Sequence, residues 1–204
     1  ERTRQPGAAA AEAGYVFGQY RFPVDSDTAL IVEDPDTVSV STEDLAPATV
    51  QQGDTNVPML AATFTVDHDS ARIEGITVTQ TNNARDGQDI LTAKAYLDED
   101  GDNVLDTDGG GDIDTSKLLG EALFQSGVAN ITGTITTPME LDVPDGPGIH
   151  VILTVDVHAG AQVTPDTFVT YQLANNCLTL DYPSGAPVGE RDVADYASFP
   201  LNSG

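Results

Sequence analysis

Apolar and polar residues alternate at every second position through most of this chain, and that period constrains the fold more than any other feature. A period of two places one row of side chains on each face of a strand, so each strand must bury one face against another layer. In residues 57–66, Leu60, Ala62, Phe64 and Val66 form one row. In residues 73–80, Ile73, Gly75, Thr77 and Thr79 alternate with Glu74, Ile76, Val78 and Gln80. Runs at 90–97, 129–136, 149–157, 167–173 and 176–180 are similarly rich in β-branched residues, with turn signals at 86–87, 145–148 and 159–160. Only 116–124 and 8–13 have a composition suited to helix. Many short strands at this spacing predict an all-β fold: an antiparallel β-sandwich, immunoglobulin-like or jelly-roll, with an extended N-terminal segment. Residues 25–204 suffice for a single sandwich, and 1–24 stand apart in composition.

Charge narrows the partners. The 204 residues carry 33 acidic and 8 basic side chains, a formal net charge of −25. Eight cations without a basic patch cannot track a phosphate backbone, so no nucleic acid is expected. The same sign disfavours an anionic membrane surface, and no apolar run approaches the ~20 residues of a membrane span, so no membrane insertion is expected either. Asp outnumbers Glu 24 to 9 and Lys occurs twice. Such an excess suits a surface kept hydrated at high salt, or carboxylates that bind divalent cations, and the two can coexist. The single cysteine, Cys177, excludes an intrachain disulfide and reads as a small buried apolar residue. The start of the sequence shows no hydrophobic signal region, and a chain without an initiator Met is what processing would leave. Asn130-Ile131-Thr132 fits an N-glycosylation acceptor at Asn130, a pattern that also arises by chance.

The densest chemical signal is the stretch 98–108, where Asp98, Asp100, Asp102, Asp106 and Asp108 alternate with Gly101, Asn103 and Val104. Carboxylates at every second position around a tight turn converge oxygens on a hard cation, and Ca²⁺ takes six to eight of them. Without a counter-ion this is a solvated acidic hairpin tip whose charges repel. The loop resembles the calcium loops of EF-hand, dockerin and thrombospondin type-3 repeats. The resemblance implies side-chain ligation by Asp98, Asp100 and Asp102, a carbonyl ligand from Val104, and Asp106 bound directly or through water. It departs from those loops in the placement of Gly101 and in having Gly109 where a bidentate Glu is usual. Asp108 or Asp112 would then replace the missing ligand, because Gly109-Gly110-Gly111 lets the chain fold back. The pair Asp112 and Asp114 either completes this site or belongs to a second. Mg²⁺ suits such a loop less well, since it dehydrates reluctantly.

No catalytic constellation is legible. The three histidines, His68, His150 and His158, form no HExxH or HxH pattern, and neither a GxSxG elbow nor a phosphate loop occurs. Asp67-His68-Asp69 reads as a polar turn, and Asp156 with His158 as solvent-facing strand residues. Among 33 acids a glycosidase pair cannot be picked out, and tryptophan platforms for sugars are absent. The chain is therefore expected not to be an enzyme.

The N-terminal segment has its own character. Four of the chain's twelve aromatics lie between positions 15 and 22. Val16, Tyr20, Phe22 and Val24 form one alternating face, while Tyr15, Phe17, Gln19 and Arg21 form the other. Residues 1–24 carry a net +1, against −26 for residues 25–204 with their 31 acids and 5 bases. Such a strand is either the first edge strand of its own sandwich or a donor strand completing a neighbour's sheet, with main-chain hydrogen bonds for affinity and aromatic pockets for register. The plan is similar to that of secreted fibre and surface subunits, a β-sandwich with an N-terminal donor segment. This resemblance implies an extracellular or cell-surface homopolymer, assembled head to tail and stabilised by calcium. The competing expectation is a calcium-dependent adhesin or carbohydrate-binding module of a larger surface protein, with surface glycans as partners. A secreted hydrolase with an unrecognised carboxylate pair is the third.

Overall fold

The computed structural model describes residues 36–67, 70–132, 139–142, 148–163, 165–181, 193–195 and 199–203. The segment 1–24, with Tyr15, Val16, Phe17, Tyr20, Phe22 and Val24, lies outside the described residues, as do the helix candidate 8–13 and His68. Twelve strands follow one another in the described part. They are β1 (Thr37–Asp44), β2 (Val57–Val66), β3 (Ser70–Gln80), β4 (Ile90–Asp98), β5 (Leu118–Leu123) and β6 (Val128–Asn130), then β7 (Met139–Asp142), β8 (Ile149–Val157), β9 (Tyr171–Leu173), β10 (Leu178–Leu180), β11 (Val193–Ala194) and β12 (Leu201–Asn202). One sheet has the order β11-β1-β2-β8-β4-β5, and the other β10-β3-β9-β12, with β6 and β7 also paired to β3. Every pairing is antiparallel except β1 with β11. The protein is an all-β sandwich of antiparallel sheets packed on one another. No helix among the described residues is long and apolar enough to cross a membrane.

The core forms where the alternating rows of the two sheets meet. Leu60, Ala62 and Phe64 of β2, Val151, Leu153 and Val155 of β8, and Ala93 and Ala95 of β4 come from the first sheet. Ile73, Ile76, Val78, Tyr171, Leu173 and Leu180 come from the second. The row predicted for β2 is buried, with Val66 partly buried at its end, but Val57 and Met59 of the other row also enter the core where the β2–β8 register shifts between Pro58 and Leu60. For β3 the simple alternation fails, because both Ile73 and Ile76 are fully buried. The pairing of β3 with β10 slips by one residue here: Thr179 faces Gly75 while Leu180 faces Ile73. A slip of one residue reverses which side chains point inward, so Ala71 and Ile73 face the core before Gly75, and Ile76 and Val78 after it.

Two other expectations need correction. Residues 116–124 do not form a helix: Thr115–Lys117 make a single 3₁₀ turn and Leu118–Leu123 continue as β5, paired with β4 from Tyr96↔Leu118 to Thr92↔Leu123. A ladder to β4 satisfies these backbone groups better than an isolated helix this short, which Gly120 would weaken further. Residues 167–170 do not join the strand at 171–173. Local polar contacts hold them instead: Asn83 Oδ1 accepts the Phe168 N–H at 2.7 Å and the Phe168 carbonyl accepts the Ala84 N–H at 3.1 Å.

Tyr171 fastens the two layers together. Its ring is fully buried, 5.8 Å from Phe124 in a tilted arrangement, and its hydroxyl donates to the Thr154 carbonyl on β8 at 2.9 Å. Pro58 stands opposite Thr154 and brings no N–H to this bulged part of the β2–β8 ladder. Burial holds the Tyr171 phenol well above its ordinary pKa, so it stays a donor. Tyr171→Phe should therefore cost about 1–2 kcal/mol, the value of a buried hydrogen bond whose acceptor is stranded; a urea midpoint unchanged from wild type would refute this. Cys177 is buried as expected, its thiol pushed up to about 12 by burial and hence unreactive.

Candidate metal centre

The Asp-rich stretch begins on the last residue of β4 and runs through the connection to β5. Three of its carboxylates come together: one oxygen each of Asp98, Asp100 and Asp106 lies within 4.8 Å of the others. Asp98 is 2% exposed, Asp106 half-buried and Asp100 exposed. The trio therefore has a fixed, buried foot and an open side. Asp98 is held rigidly, because Oδ1 accepts the Gly101 N–H at 2.9 Å and Oδ2 the Asn103 N–H at 3.0 Å. That turn requires two left-handed residues, Gly101 at φ 70° and Asn103 at φ 63°. Glycine and asparagine tolerate that conformation best, which explains the displaced glycine noted in the sequence.

His150 forms part of the floor. It pairs with Asp98 across the β4–β8 ladder, its Nδ1 is 3.0 Å from Thr63 Oγ1, and a Cβ added to Gly101 would stand 3.1 Å from its Nε2. Asp106 Oδ2 accepts the Glu99 N–H at 3.2 Å, drawing the far limb of the loop back to the end of β4. Glu43 on β1 accepts the Asn103 side-chain amide at 2.8 Å, and Lys117 pairs with Glu99 at 2.5 Å. Glu99 raises the Lys117 pKa, so this cation stays charged. Glu43, His150 and Lys117 were not singled out from sequence, since register and loop closure alone bring them here.

Among the other expected ligands, the carboxylates of Asp102, Asp108 and Asp112 lie outside this trio. Asp102 is exposed and its Oδ1 accepts the Val104 N–H at 2.8 Å. Val104 is 61% exposed. Asp108 Oδ1 accepts the Gly110 and Asp112 N–H groups at 2.7 and 3.1 Å, while the Asp112 carbonyl accepts the Asp108 N–H at 2.7 Å. Asp108 and Asp112 thus close a small hairpin through Gly111, whose φ is 90°. Asp114 caps the 3₁₀ turn by accepting the Ser116 N–H at 2.9 Å, and its pKa is lowered first by the Ser116 hydroxyl and then by this N–H. The structure therefore divides one sequence motif into a carboxylate trio and a separate turn.

At ~4.8 Å two carboxylates repel by about 1 kcal/mol in water and about 3–4 kcal/mol at an effective dielectric of 20. A cation among the three would reverse that sign, and the trio could hold a metal ion. The donor set, carboxylate oxygens with an open side for water or carbonyls, suits a hard divalent cation.

Several other polar groups among the described residues are engaged in structural contacts. Asp156 pairs with Lys94 at 2.8 Å and accepts the Asn56 N–H at 2.8 Å, and His158 Nδ1 accepts the Gly160 N–H at 2.8 Å. Asn56 also accepts Lys94 Nζ and the Tyr96 hydroxyl. A cleft of about 450 Å³ is lined mainly by apolar residues such as Ala46, Met59 and Phe168, and of its two acids, Asp89 and Asp166, the first is tied to Arg85. Asn130 is exposed on β6, with Oδ1 accepting from Thr77 Oγ1 at 2.9 Å. No protein-family model matches the chain, and no curated protein matches it.

Proposed function

We propose that this protein is a non-catalytic structural subunit of an extracellular assembly, with the long β4–β5 connection pinned by Ca²⁺. The convergence of Asp98, Asp100 and Asp106 carries the reading of the cation, because a buried, rigidly held carboxylate is joined there by two that repel it. Calcium is favoured over magnesium because three carboxylates leave an irregular, partly open shell that a flexible seven- or eight-fold coordination completes readily. Its role is to hold a loop of mostly exposed residues against the end of β4, so binding free energy appears as folding stability. The assembly is a homopolymer in which the aromatic segment Tyr15–Val24 of one copy adds to the sheet of the next. Its alternating faces and near-neutral charge beside an acidic body support that reading.

A melt in chelator, then with calcium or magnesium restored at constant ionic strength, tests the cation. Calcium at about a hundredfold excess over Kd should add about 2.7 kcal/mol to the unfolding free energy. Asp98→Asn should abolish most of that gain. Equal melting temperatures in chelator and in calcium would remove the structural ion.

A further inference from the structure

Among the described residues, β5 pairs with β4 along one edge and with no strand along the other. An edge strand presents a row of N–H and C=O groups that templates another strand, and proteins usually blunt it with charge, shortness or cover. The opposite margin of the same sheet is blunted in this way. There β11 covers Thr37 and Val38 of β1, and the rest of β1 carries Ser41, Glu43 and Asp44, all exposed. β5 is shorter, at six residues, but no described strand covers its outer edge, it has one exposed charge, Glu121, and it ends on Leu123, which is 63% exposed. Beyond Leu119, which is buried at a shift in the β4–β5 register, the residues along its inner row are small, with Gly120 opposite Ala95 and Ala122 opposite Ala93. A strand laid beside β5 would set its inward side chains next to these small residues, where bulk is most easily accommodated.

We infer that the outer edge of β5 is the acceptor for the segment Tyr15–Val24 of a second copy; this rests on the homopolymer reading and adds to it the surface that is used. The segment's ten residues exceed the six of β5, its face Val16, Tyr20, Phe22 and Val24 is bulky, and Arg21 supplies a cation toward Glu121. Charge complementarity favours a copy of this chain as the occupant, since residues 1–24 carry +1 and the remainder −26.

Two full-length variants, Gln19→Cys and either Glu121→Cys or Leu123→Cys, are mixed in calcium under mild oxidation, one of them bearing a mass tag. The expected product is a mixed disulfide dimer at least ten times more abundant than with Ser41→Cys as the partner. Mixed dimers formed preferentially with Ser41→Cys would place the acceptor on β1 and overturn the inference. So would an intrachain disulfide in the double variant at high dilution, which would put the segment on its own sheet. Wild-type filaments visible by electron microscopy together with no bridge to β5 would refute the acceptor edge and leave the polymer intact. Absence of filaments under all calcium conditions would refute the polymer and the acceptor together.

Discussion

Replacing Asp89 with alanine is expected to lower the unfolding free energy by about 3 kcal/mol. Asp89 is 2% exposed and its carboxylate is fully engaged. Oδ2 accepts the Arg85 N–H at 2.9 Å and Nε at 2.7 Å, while Oδ1 accepts Arg85 Nη2 at 2.9 Å and the Gln162 N–H at 2.7 Å. The Asp89 carbonyl also accepts the His158 N–H at 2.9 Å. One side chain therefore joins the turn before β4 to the loop after β8. Arg85 is half-exposed and can rehydrate, so most of the loss comes from the two backbone amides left without an acceptor. A loss of unfolding free energy, from urea titration at pH 7, of less than about 1 kcal/mol would show that water replaces the carboxylate.

The Asp89 clamp also has a pH signature. Its hydrogen bonds from Arg85, outweighing the cost of burial, hold the folded-state pKa far below the ordinary carboxylate range. A depressed pKa contributes stability that is complete above the unfolded value, roughly 3.9, and is lost as pH falls toward the folded one. The difference between wild type and Asp89→Ala should be level from pH 7 to about 5 and shrink only below about pH 4. A difference that already declines near neutrality would point to another group.

Gly75→Val should cost about 3 kcal/mol, at the upper end of what overpacking a β-sandwich interior produces. A Cβ at Gly75 would collide with Thr132 Oγ1 and lie 2.7 Å from the Thr132 Cα. The second of these is backbone, which no rotamer change can move. Thr132 cannot simply withdraw, because the neighbouring Ile131 is fully buried and its N–H donates to the Ile76 carbonyl at 2.9 Å. Gly75 also sits where the β3–β10 register slips, so displacing it disturbs the inward turn of Ile73 and Ile76 together. Gly87→Ala provides a contrast: a Cβ there meets nothing within 4 Å, and its φ of 68° confines the cost to local strain. Equal losses for the two variants would rule out the steric account.

The apolar, β-branched make-up of 57–66, 90–97 and 149–157 made those strands legible, although register shifts in the β2–β8 and β4–β8 ladders interrupt their strict alternation. The helical reading of 116–124 failed because Leu-Leu-Gly-Glu-Ala-Leu is too short to declare a period, and the neighbouring β4 decides its state. For the candidate metal centre, spacing named Asp98, Asp100 and Asp106 but could not separate them from Asp102, Asp108 and Asp112. That division depends on which amide each carboxylate accepts once Asn103 and Gly111 have turned the chain. Asp89, the most heavily bonded acid described here, left only a faint trace in the sequence: an arginine four residues before it.

The sequence by itself determined that the chain folds into layered β-sheet, because alternation can be buried in no other way, and that its Asp cluster concentrates negative charge at one turn. Tertiary structure decided which face of β3 points inward, which three carboxylates converge, and which sheet margin no described strand covers. Those outcomes depend on a one-residue slip at Gly75, on the register that sets His150 beneath Gly101, and on strands distant in sequence becoming neighbours. Side-chain periodity is local and survives in any sequence window, whereas register and edge position exist only once the sheets have closed.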